Sequence, residues 1–214
     1  MFVKERMTSN PVTVTEDTSL HDALRLLRER KVRRLPVLNK AGDLVGIISE
    51  KDLLYAAPSP ATSLSVFEVN YLIAQIKIKQ LMSEKLITVD DDCPLEEAAR
   101  IMADNAVSGL PVLHNGKLVG MITESDLFKS FLELLGARSR GLRLTVLVPN
   151  RKGVLAQLTG AISRLGGDII ALGTVITGDE KQGELILKVR DVDRESLLMD
   201  LNALEFQVVD LREV

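Results

Sequence analysis

The sequence predicts an α+β protein made of two repeated units followed by a separate C-terminal domain. The first observation is an internal repeat, in which residues 7–54 return as residues 82–128. The second is a change of hydrophobic pattern after Gly136, where a different order of strands and helices replaces the repeat. A unit that occurs twice usually packs against its copy, and the seam between two copies offers clefts for small ligands.

The repeat is clearest in the second half of each copy. Arg34–Leu38 returns as Gly109–Leu113, and Leu44–Leu53 returns as Leu118–Leu127. We therefore expect the two copies to fold alike and to face each other across a pseudo-two-fold axis.

Each copy is predicted to begin with a short strand and an amphipathic helix. The strands are residues 12–14 and 87–89. The helices carry apolar residues at i, i+3, i+4 and i+7, which marks one buried face; these are Leu20, Ala23, Leu24 and Leu27 in the first copy and Leu95, Ala98, Ala99 and Met102 in the second. Thr18 is the expected N-cap of the first helix, and Pro94 suits the first turn of the second.

Two strands and a closing helix complete each copy. In the first, strands 35–38 and 44–48 flank a turn over residues 39–43; in the second, Asn115-Gly116 predicts a tight hairpin with positive φ at both residues. The closing helices are expected to start near Ser49 and Thr123, so that each unit reads strand–helix–strand–strand–helix.

An amphipathic helix is predicted between the copies, over residues 63–77, with Leu64, Phe67, Tyr71, Ala74 and Ile78 roughly on one face. It either packs against the repeat pair or acts as a ligand lid or partner-docking helix.

After Gly136 the sequence predicts a βαββαβ domain of the ferredoxin-like type. A polar linker over residues 137–141 precedes strands 142–148, 169–177, 184–190 and 206–211 and helices 154–165 and 194–203. The predicted domains are residues 1–77, 78–136 and 141–214.

Composition excludes several classes of protein. The net charge of −3 is unlike the strongly basic surface of a nucleic-acid-binding protein. The single Cys93 excludes an internal disulfide and suits a reducing compartment, and His21 and His114 give no metal-ligand pattern. The first residues lack the apolar run of a signal peptide, and no apolar stretch reaches the roughly 20 residues of a membrane span. We therefore expect a cytoplasmic protein with no membrane or nucleic-acid partner.

The main chemical signal is a hydroxyl and an acid three residues apart in both copies, Ser49 with Asp52 and Thr123 with Asp126. A helix N-terminus favours phosphate, to which the hydroxyl can donate, and a carboxylate can accept both hydrogens of a ribose diol. The same spacing is close to a capping box, which needs no ligand. The two interpretations can coexist in the empty protein.

Basic residues at the seam are present in only one copy. Arg33 and Arg34 precede the Leu-Pro-Val-Leu run of the first copy, and their counterparts are the uncharged Ser108 and Gly109. The asymmetry predicts one cleft for a phosphorylated ligand and the other for a ligand of less charge. The alternative is a solvated basic patch at a helix end.

The repeat, with Leu-Pro-Val-Leu followed by Gly-Ile-Ile-Ser-Glu-Lys-Asp-Leu, resembles the CBS motif, two of which form a Bateman module. The resemblance implies adenosine ligands, with Ser49 or Thr123 on phosphate, Asp52 or Asp126 on ribose, and basic residues such as Arg33 and Arg34 aimed at phosphates. The complete predicted nucleotide site is Thr13, Arg33, Arg34, Pro36, Ser49, Asp52, Thr88, Ser108, Gly109, Pro111, Thr123 and Asp126.

The tail, from Leu-Val-Pro-Asn-Arg-Lys-Gly to Leu-Gly-Gly-Asp-Ile, resembles the ACT domain of amino-acid-sensing regulators. Gly153 leaves backbone amides open to an amino-acid carboxylate, but Asn150 stands where the family often has Asp. The predicted amino-acid site is Asn150, Gly153, Val154, Leu155 and Ile169, with ligand-free assembly as the alternative. The order CBS–CBS–ACT is similar to that of the bacterial acetoin-utilisation protein B group.

The sequence therefore predicts a non-catalytic regulatory sensor that requires no cofactor. Its ligand would be AMP, ADP, ATP or S-adenosylmethionine, with an amino acid as a second candidate ligand. We expect a homodimer whose ACT domains meet across a two-fold axis, acting on a protein partner that the sequence does not name. An oligomeric scaffold with vestigial clefts is the alternative. An enzyme is disfavoured because His21, His114 and Cys93 come with no catalytic partners at a suggestive spacing.

Overall fold

The computed structural model describes residues 1–56, 75–175 and 181–214. The chain divides into two compact units, Met1–Leu127 and Phe128–Val214. Most of the predicted connecting helix over 63–77 lies outside the described residues. Its last residue, Lys77, is described and forms an isolated β-bridge with Ser19. The domain boundaries drawn from the sequence stay a prediction.

The first copy has the predicted strand–helix–strand–strand–helix order, preceded by a short strand, β1, that the sequence did not predict. These are β1 Thr8–Ser9, β2 Val14–Thr15, α1 Leu20–Arg30, β3 Arg34–Leu38, β4 Leu44–Ser49 and α2 Glu50–Ala56. Strand β2 runs parallel to β3, and β3 runs antiparallel to β4. The N-cap of α1 is Ser19, whose hydroxyl accepts from the Asp22 amide. The predicted cap, Thr18, is wrong by one residue because its hydroxyl accepts instead from the Thr15 amide, at 3.1 Å.

The second copy repeats this arrangement. Its elements are β5 Val89–Asp90, α3 Leu95–Asp104, β6 Gly109–His114, β7 Lys117–Thr123 and α4 Glu124–Leu134. The register is the same in both copies, since Val14 pairs with Val37 and Val89 with Val112. The predicted hairpin is confirmed by positive φ at Asn115 (50°) and Gly116 (77°). Pro94 occupies the N-cap position, one residue before α3 begins.

The two copies exchange their first residues. Strand β1 of the first copy pairs with β7 of the second, and Ser83 at the start of the second copy bridges Ile47 in β4. Val3 is buried in the core of the second copy, whereas Ile78 is buried in the core of the first. Each copy therefore completes the sheet and the core of the other.

Two glycines make room for this exchange. A side chain at Gly120 would meet the sulfur of Met7, and a side chain at Gly46 would meet the sulfur of Met82. The repeated Met-Thr and Met-Ser pairs are thus packing residues that tie the copies together.

The apolar helix faces fill two cores in this unit. The first contains Leu20, Leu27, Leu35, Ile48 and Leu53, and the second contains Leu95, Met102, Leu110, Val112 and Ile122. The sequence predicts that apolar residues of the two closing helices are available to a partner; these are Leu53, Leu54, Leu127, Phe128 and Phe131. That expectation is wrong for Leu53, which is completely buried, whereas Leu127 is half-buried and the other three are exposed.

The C-terminal unit is the predicted βαββαβ domain. Its elements are β8 Leu142–Pro149, α5 Val154–Arg164, β9 Asp168–Val175, β10 Gln182–Arg190, α6 Arg194–Ala203 and β11 Gln207–Glu213. The antiparallel sheet has the order β11-β8-β10-β9, so β9 and β11 are its edges. Its core includes Leu144, Val146, Leu158, Leu187 and Phe206. Leu155 in α5, one of the residues predicted to bind an amino acid, is 43% exposed.

No helix among the residues that the structure describes is both long and apolar enough to cross a membrane.

Candidate functional site

The first hydroxyl–carboxylate pair lies where β4 passes into α2. Oδ2 of Asp52 accepts a hydrogen bond from the Ser49 hydroxyl at 2.5 Å and from the Ser49 amide at 2.9 Å. The Asp52 amide donates back to the Ser49 hydroxyl at 3.3 Å. This is the geometry of a capping box, in which the hydroxyl and the carboxylate form their hydrogen bonds with each other and with the helix end and need no ligand.

The second pair has the same geometry where β7 passes into α4. Oδ2 of Asp126 accepts from the Thr123 hydroxyl at 2.6 Å and from the Thr123 amide at 3.1 Å. Both residues are half-buried, whereas Asp52 is exposed. The two predicted pairs thus occupy equivalent places in the two copies, each at the first turn of a helix.

Strand pairing places two of the other predicted residues directly opposite these pairs. Arg34 lies opposite Ser49 in the β3–β4 ladder, and Gly109 lies opposite Thr123 in the β6–β7 ladder. The remaining members lie at or beside the same strands: half-buried Thr13 and Thr88 just before β2 and β5, and buried Pro36 and Pro111 within β3 and β6.

The two arginines reach from the first copy to the second. The guanidinium of Arg34 donates to the Ser108 carbonyl at 3.3 Å and, over a shorter distance, to the Ser108 hydroxyl. The same guanidinium lies close to Gly109, since a side-chain carbon there would be 3.4 Å from it, an ordinary van der Waals distance. Arg33 donates to the hydroxyl of Ser125, in the first turn of α4, at 3.1 Å. Two positive charges therefore lie at the seam, beside the Thr123–Asp126 pair.

Charged groups from both copies affect the pKa of Arg34. Partial burial lowers the pKa of its guanidinium, and the neighbouring Arg33 lowers it further. The carboxylates of Glu124 and Asp52 act in the opposite direction, one from each copy. Glu124 and Ser125 are seam residues that sequence reasoning missed. The available signal was their position directly after Thr123, in the first turn of the closing helix.

Four of the five residues predicted to bind an amino acid line one cavity in the C-terminal unit. The cavity, of about 430 Å³, is lined by Asn150, Gly153, Val154 and Leu155. Gly153 is the N-cap of α5 with φ of +87°, a left-handed conformation that favours glycine. Arg151 and Lys152 add positive charge to the same rim.

Ile169, the fifth predicted residue, lies elsewhere in the sheet. It packs against the core of the C-terminal unit, and strand β9 contributes Thr174 and Val175 to the cavity instead.

The histidines and the cysteine contact residues other than the seam pairs. Nδ1 of His114 lies 3.0 Å from Oδ1 of Asp91, and this hydrogen bond lowers the pKa of the Asp91 carboxyl. Burial raises the pKa of the Cys93 thiol, which opposes its use as a nucleophile at neutral pH. Over the described ranges, no three His, Cys, Asp or Glu side chains come close enough together to hold a metal ion.

Comparison with protein families assigns both parts of the chain. The CBS domain matches residues 3–59 and again residues 78–133. The ACT domain of the type found in AHAS small subunits matches residues 144–207.

Solved structures resemble the first part of the chain. The CBS domain pair of protein MJ0100, in complex with 5′-methylthioadenosine and S-adenosyl-L-methionine, is 25% identical, with a TM-score of 0.52; the match covers 65% of this chain and 98% of that one. CBSX2 in complex with AMP is 34% identical, with a TM-score of 0.51, over 61% of this chain and 96% of that one. A Vibrio cholerae protein named as an acetoin utilization protein (AcuB) is 29% identical, with a TM-score of 0.53, over 64% and 95%.

Proposed function

Because the chain belongs to the CBS domain family, with two CBS domains followed by an ACT-like domain, we propose that it is a non-catalytic regulatory sensor whose CBS pair binds an adenosine ligand. The observation that carries the proposal is the pair of equivalent hydroxyl–carboxylate sites, Ser49 with Asp52 and Thr123 with Asp126, at the first turns of two helices. The ligands named for the two similar complexes share an adenosine, which is the part carried over to this chain.

Binding would exchange one set of hydrogen bonds for another. The carboxylate of Asp126 would turn from the Thr123 hydroxyl and amide to the two hydroxyls of a ribose, and its negative charge would strengthen both bonds. The released hydroxyl and the amides of the first turn of α4 would then face a phosphate. Ser49 and Asp52 can make the same exchange in the first copy.

The arginines support a phosphorylated ligand in the cleft that carries Thr123 and Asp126. Arg33 already contacts Ser125 in the first turn of α4, and Arg34 lies over Gly109, the strand partner of Thr123. A phosphate beside this helix end would meet two guanidinium groups, and charge-assisted bonds of this kind are about twice as strong as neutral ones. The cleft of Ser49 and Asp52 would then accept the ligand of lower charge.

We expect the double substitution Arg33→Ala with Arg34→Ala to weaken ATP and ADP binding by about tenfold or more, while adenosine binding changes little. The reason is the loss of hydrogen bonds to a charged group, which contribute about 1.5–3 kcal/mol each. The difference should shrink as salt rises, because salt screens the missing charges. Calorimetric titration of each ligand at two ionic strengths measures it.

Arg30→Ala is the matched control, since Arg30 is an exposed arginine at the end of α1. It should leave all three affinities unchanged. Equal losses for ATP and adenosine in the double variant would mean that Arg33 and Arg34 only hold the copies together.

A scaffold with vestigial clefts is the second candidate, and a specific observation favours it. Both carboxylates already have their hydrogen bonds satisfied within the capping boxes, and Arg34 is bonded to Ser108. A protein of this kind would bind no adenosine ligand, so the same titrations distinguish it from the sensor.

For the C-terminal unit we propose a homodimer formed through the ACT-like domains. Strand β9 is an edge of the sheet, and its exposed side chains include Leu172 and Val175. Unpaired apolar edges tend to be covered or paired, and a two-fold axis lets the same edge serve both subunits. An amino acid in the cavity at Asn150 and Gly153 is a further proposed ligand of this domain.

Leu172→Lys is expected to weaken the dimer by about tenfold or more, because a lysine on an edge strand opposes strand pairing. Val209→Lys, on the opposite edge strand β11, is the matched control and should have little effect, since Val209 is also exposed. Sedimentation of the full chain over a range of concentrations measures both. A wild-type chain that stays monomeric at tens of micromolar would contradict the dimer.

CBS domains also occur in longer proteins that carry catalytic domains, so the absence of catalysis here is part of the proposal. We place the protein in the cytoplasm, where the free thiol of Cys93 would stay reduced. Its output would be a changed interaction with another protein, the regulated partner.

A further inference from the structure

Helix α4 begins at one candidate site and ends in the other unit. Its first turn carries Asp126, hydrogen-bonded to Thr123, and also Ser125, which receives Arg33. Its last turns belong to the C-terminal unit. Because the helix is continuous from Glu124 to Leu134, it is the covalent path from the nucleotide site to the ACT-like sheet.

The carboxyl end of α4 is closed by a tight cap. Gly136 has φ of +56° and donates its amide to the Glu133 carbonyl at 2.9 Å, while the Ala137 amide donates to the Leu132 carbonyl at 2.9 Å. The sequence had predicted a polar linker directly after this residue. The cap lies at the start of that segment, and Gly136 itself is buried.

The cap is also fixed to the sheet by a buried cation. Lys188, in β10, is only 6% exposed, and its ammonium donates to the Gly136 carbonyl at 3.0 Å. A positive charge at a helix C-terminus is favourable because it opposes the partial negative charge there. Ile170 of β9 packs where a side chain at Gly136 would lie. Two neighbouring strands therefore hold the end of this helix.

The chain between α4 and β8 is also held at its other end, beside β8. Gly141 and Val214 exchange two backbone hydrogen bonds of 3.0 Å each, just before β8 begins and just after β11 ends. Residues 137–140 therefore lie between two hydrogen-bonded points of the C-terminal unit.

We propose that α4 is a regulatory connection, through which a nucleotide at its first turn changes the ACT-like sheet by way of the contact between Gly136 and Lys188. The inference rests on the proposed nucleotide site and adds the route by which ligand binding at that site affects the ACT-like sheet. A ligand that takes the Asp126 carboxylate and the Arg33 guanidinium removes two restraints from the first turn of α4. A change at one site alters another only where the two states differ in free energy, and Lys188 supplies a contact that depends on the position of the helix end.

The test is amide hydrogen exchange of the full chain with and without saturating ATP, in the wild type and in Lys188→Met. Methionine keeps an unbranched apolar chain but lacks the ammonium. In the wild type, ATP should change exchange rates about fivefold or more in two regions: residues 123–126 at the site, and residues 168–175 and 182–190 of the sheet. In Lys188→Met the change at the site should remain and the change in the sheet should be lost. Lys181→Met, an exposed lysine just before β10, is the control and should behave as the wild type.

The exchange measurements separate failure of the connection through Lys188 from failure of the nucleotide site. If ATP changes the site but not the sheet in the wild type, or if Lys188→Met keeps the change in the sheet, the connection through Lys188 is wrong and the nucleotide site stands. If neither ATP nor AMP nor S-adenosylmethionine binds at all, the proposed function fails, and this inference fails with it. Should Lys188→Met be unfolded by circular dichroism, Ile170→Ala, which removes the Cγ2 methyl that lies against Gly136, takes its place under the same criteria.

Discussion

Replacing Phe206 by alanine is expected to lower the free energy of unfolding of the C-terminal unit by about 3–5 kcal/mol. Phe206 is 2% exposed and lies in the core formed by α5, α6 and the inner face of the sheet. The loss combines the transfer of a buried aromatic ring with the cavity it leaves. Unfolding of this unit should become a separate, earlier transition in denaturant, since its core is distinct from the two cores of the CBS pair.

Met199→Ala is the control within the same unit, because Met199 in α6 is 66% exposed. Its effect should stay within about 0.5 kcal/mol. Nucleotide titrations on Phe206→Ala should still succeed, because every predicted nucleotide residue lies in the first unit. A single transition in which Phe206→Ala also abolishes nucleotide binding would show that the two units do not fold separately.

Asp52→Ala and Asp126→Ala are each expected to lower the affinity of one cleft by roughly 10- to 150-fold and to leave the other nearly intact. Losing a hydrogen bond to a charged group costs about 1.5–3 kcal/mol, which is the source of this range. Calorimetry with ATP and with adenosine resolves the two clefts if the arginines make them unequal in affinity. The Asp126 variant should affect ATP most, since Arg33 contacts the first turn of α4.

Both substitutions also remove a helix cap, and the chain provides a control for that effect. In α1, the Ser19 hydroxyl donates to Asp22 at 2.7 Å and accepts from the Asp22 amide at 3.1 Å, which are two of the three hydrogen bonds that join Ser49 and Asp52. Asp22→Ala should therefore lower stability without changing nucleotide affinity. If all three variants lose affinity alike, or none does, then Asp52 and Asp126 are only helix caps.

Much of the fold was predictable because local patterns report local structure. The alternation of apolar residues located the helices and strands of both repeats, and the Asn115-Gly116 pair specified its hairpin. The exchange of chain starts was not predictable in this way. It depends on Met7 meeting Gly120 and on Val3 entering the distant core, contacts between residues far apart in sequence.

The burial of individual residues on an apolar helix face could not be predicted from the sequence pattern either. Leu53 and Leu155 each lie on an apolar helix face, yet the first is buried and the second exposed. The neighbouring helices and strands decide which residues of an apolar helix face are buried, and the sequence of one helix carries no information about those neighbours.

In the candidate site, too, the contacts within one helix turn were predictable and the contacts between the copies were not. The spacing of Ser49 with Asp52 and of Thr123 with Asp126 could be read directly, because each pair sits on one helix turn. That Arg33 crosses the seam to Ser125 could not, since it follows from the packing of one copy on the other. Glu124 was missed for the same reason: its effect on Arg34 acts across that packing.

The central claim is that the CBS pair binds an adenosine ligand through Asp52 and Asp126. The most direct measurement is calorimetric titration of the full chain with AMP, ADP, ATP and S-adenosylmethionine, repeated on the double variant Asp52→Ala with Asp126→Ala. We predict saturable binding of at least one of these ligands to the wild type and loss of that binding in a double variant that remains folded. Absence of binding by all four to the wild type, or undiminished binding by the double variant, would contradict the claim.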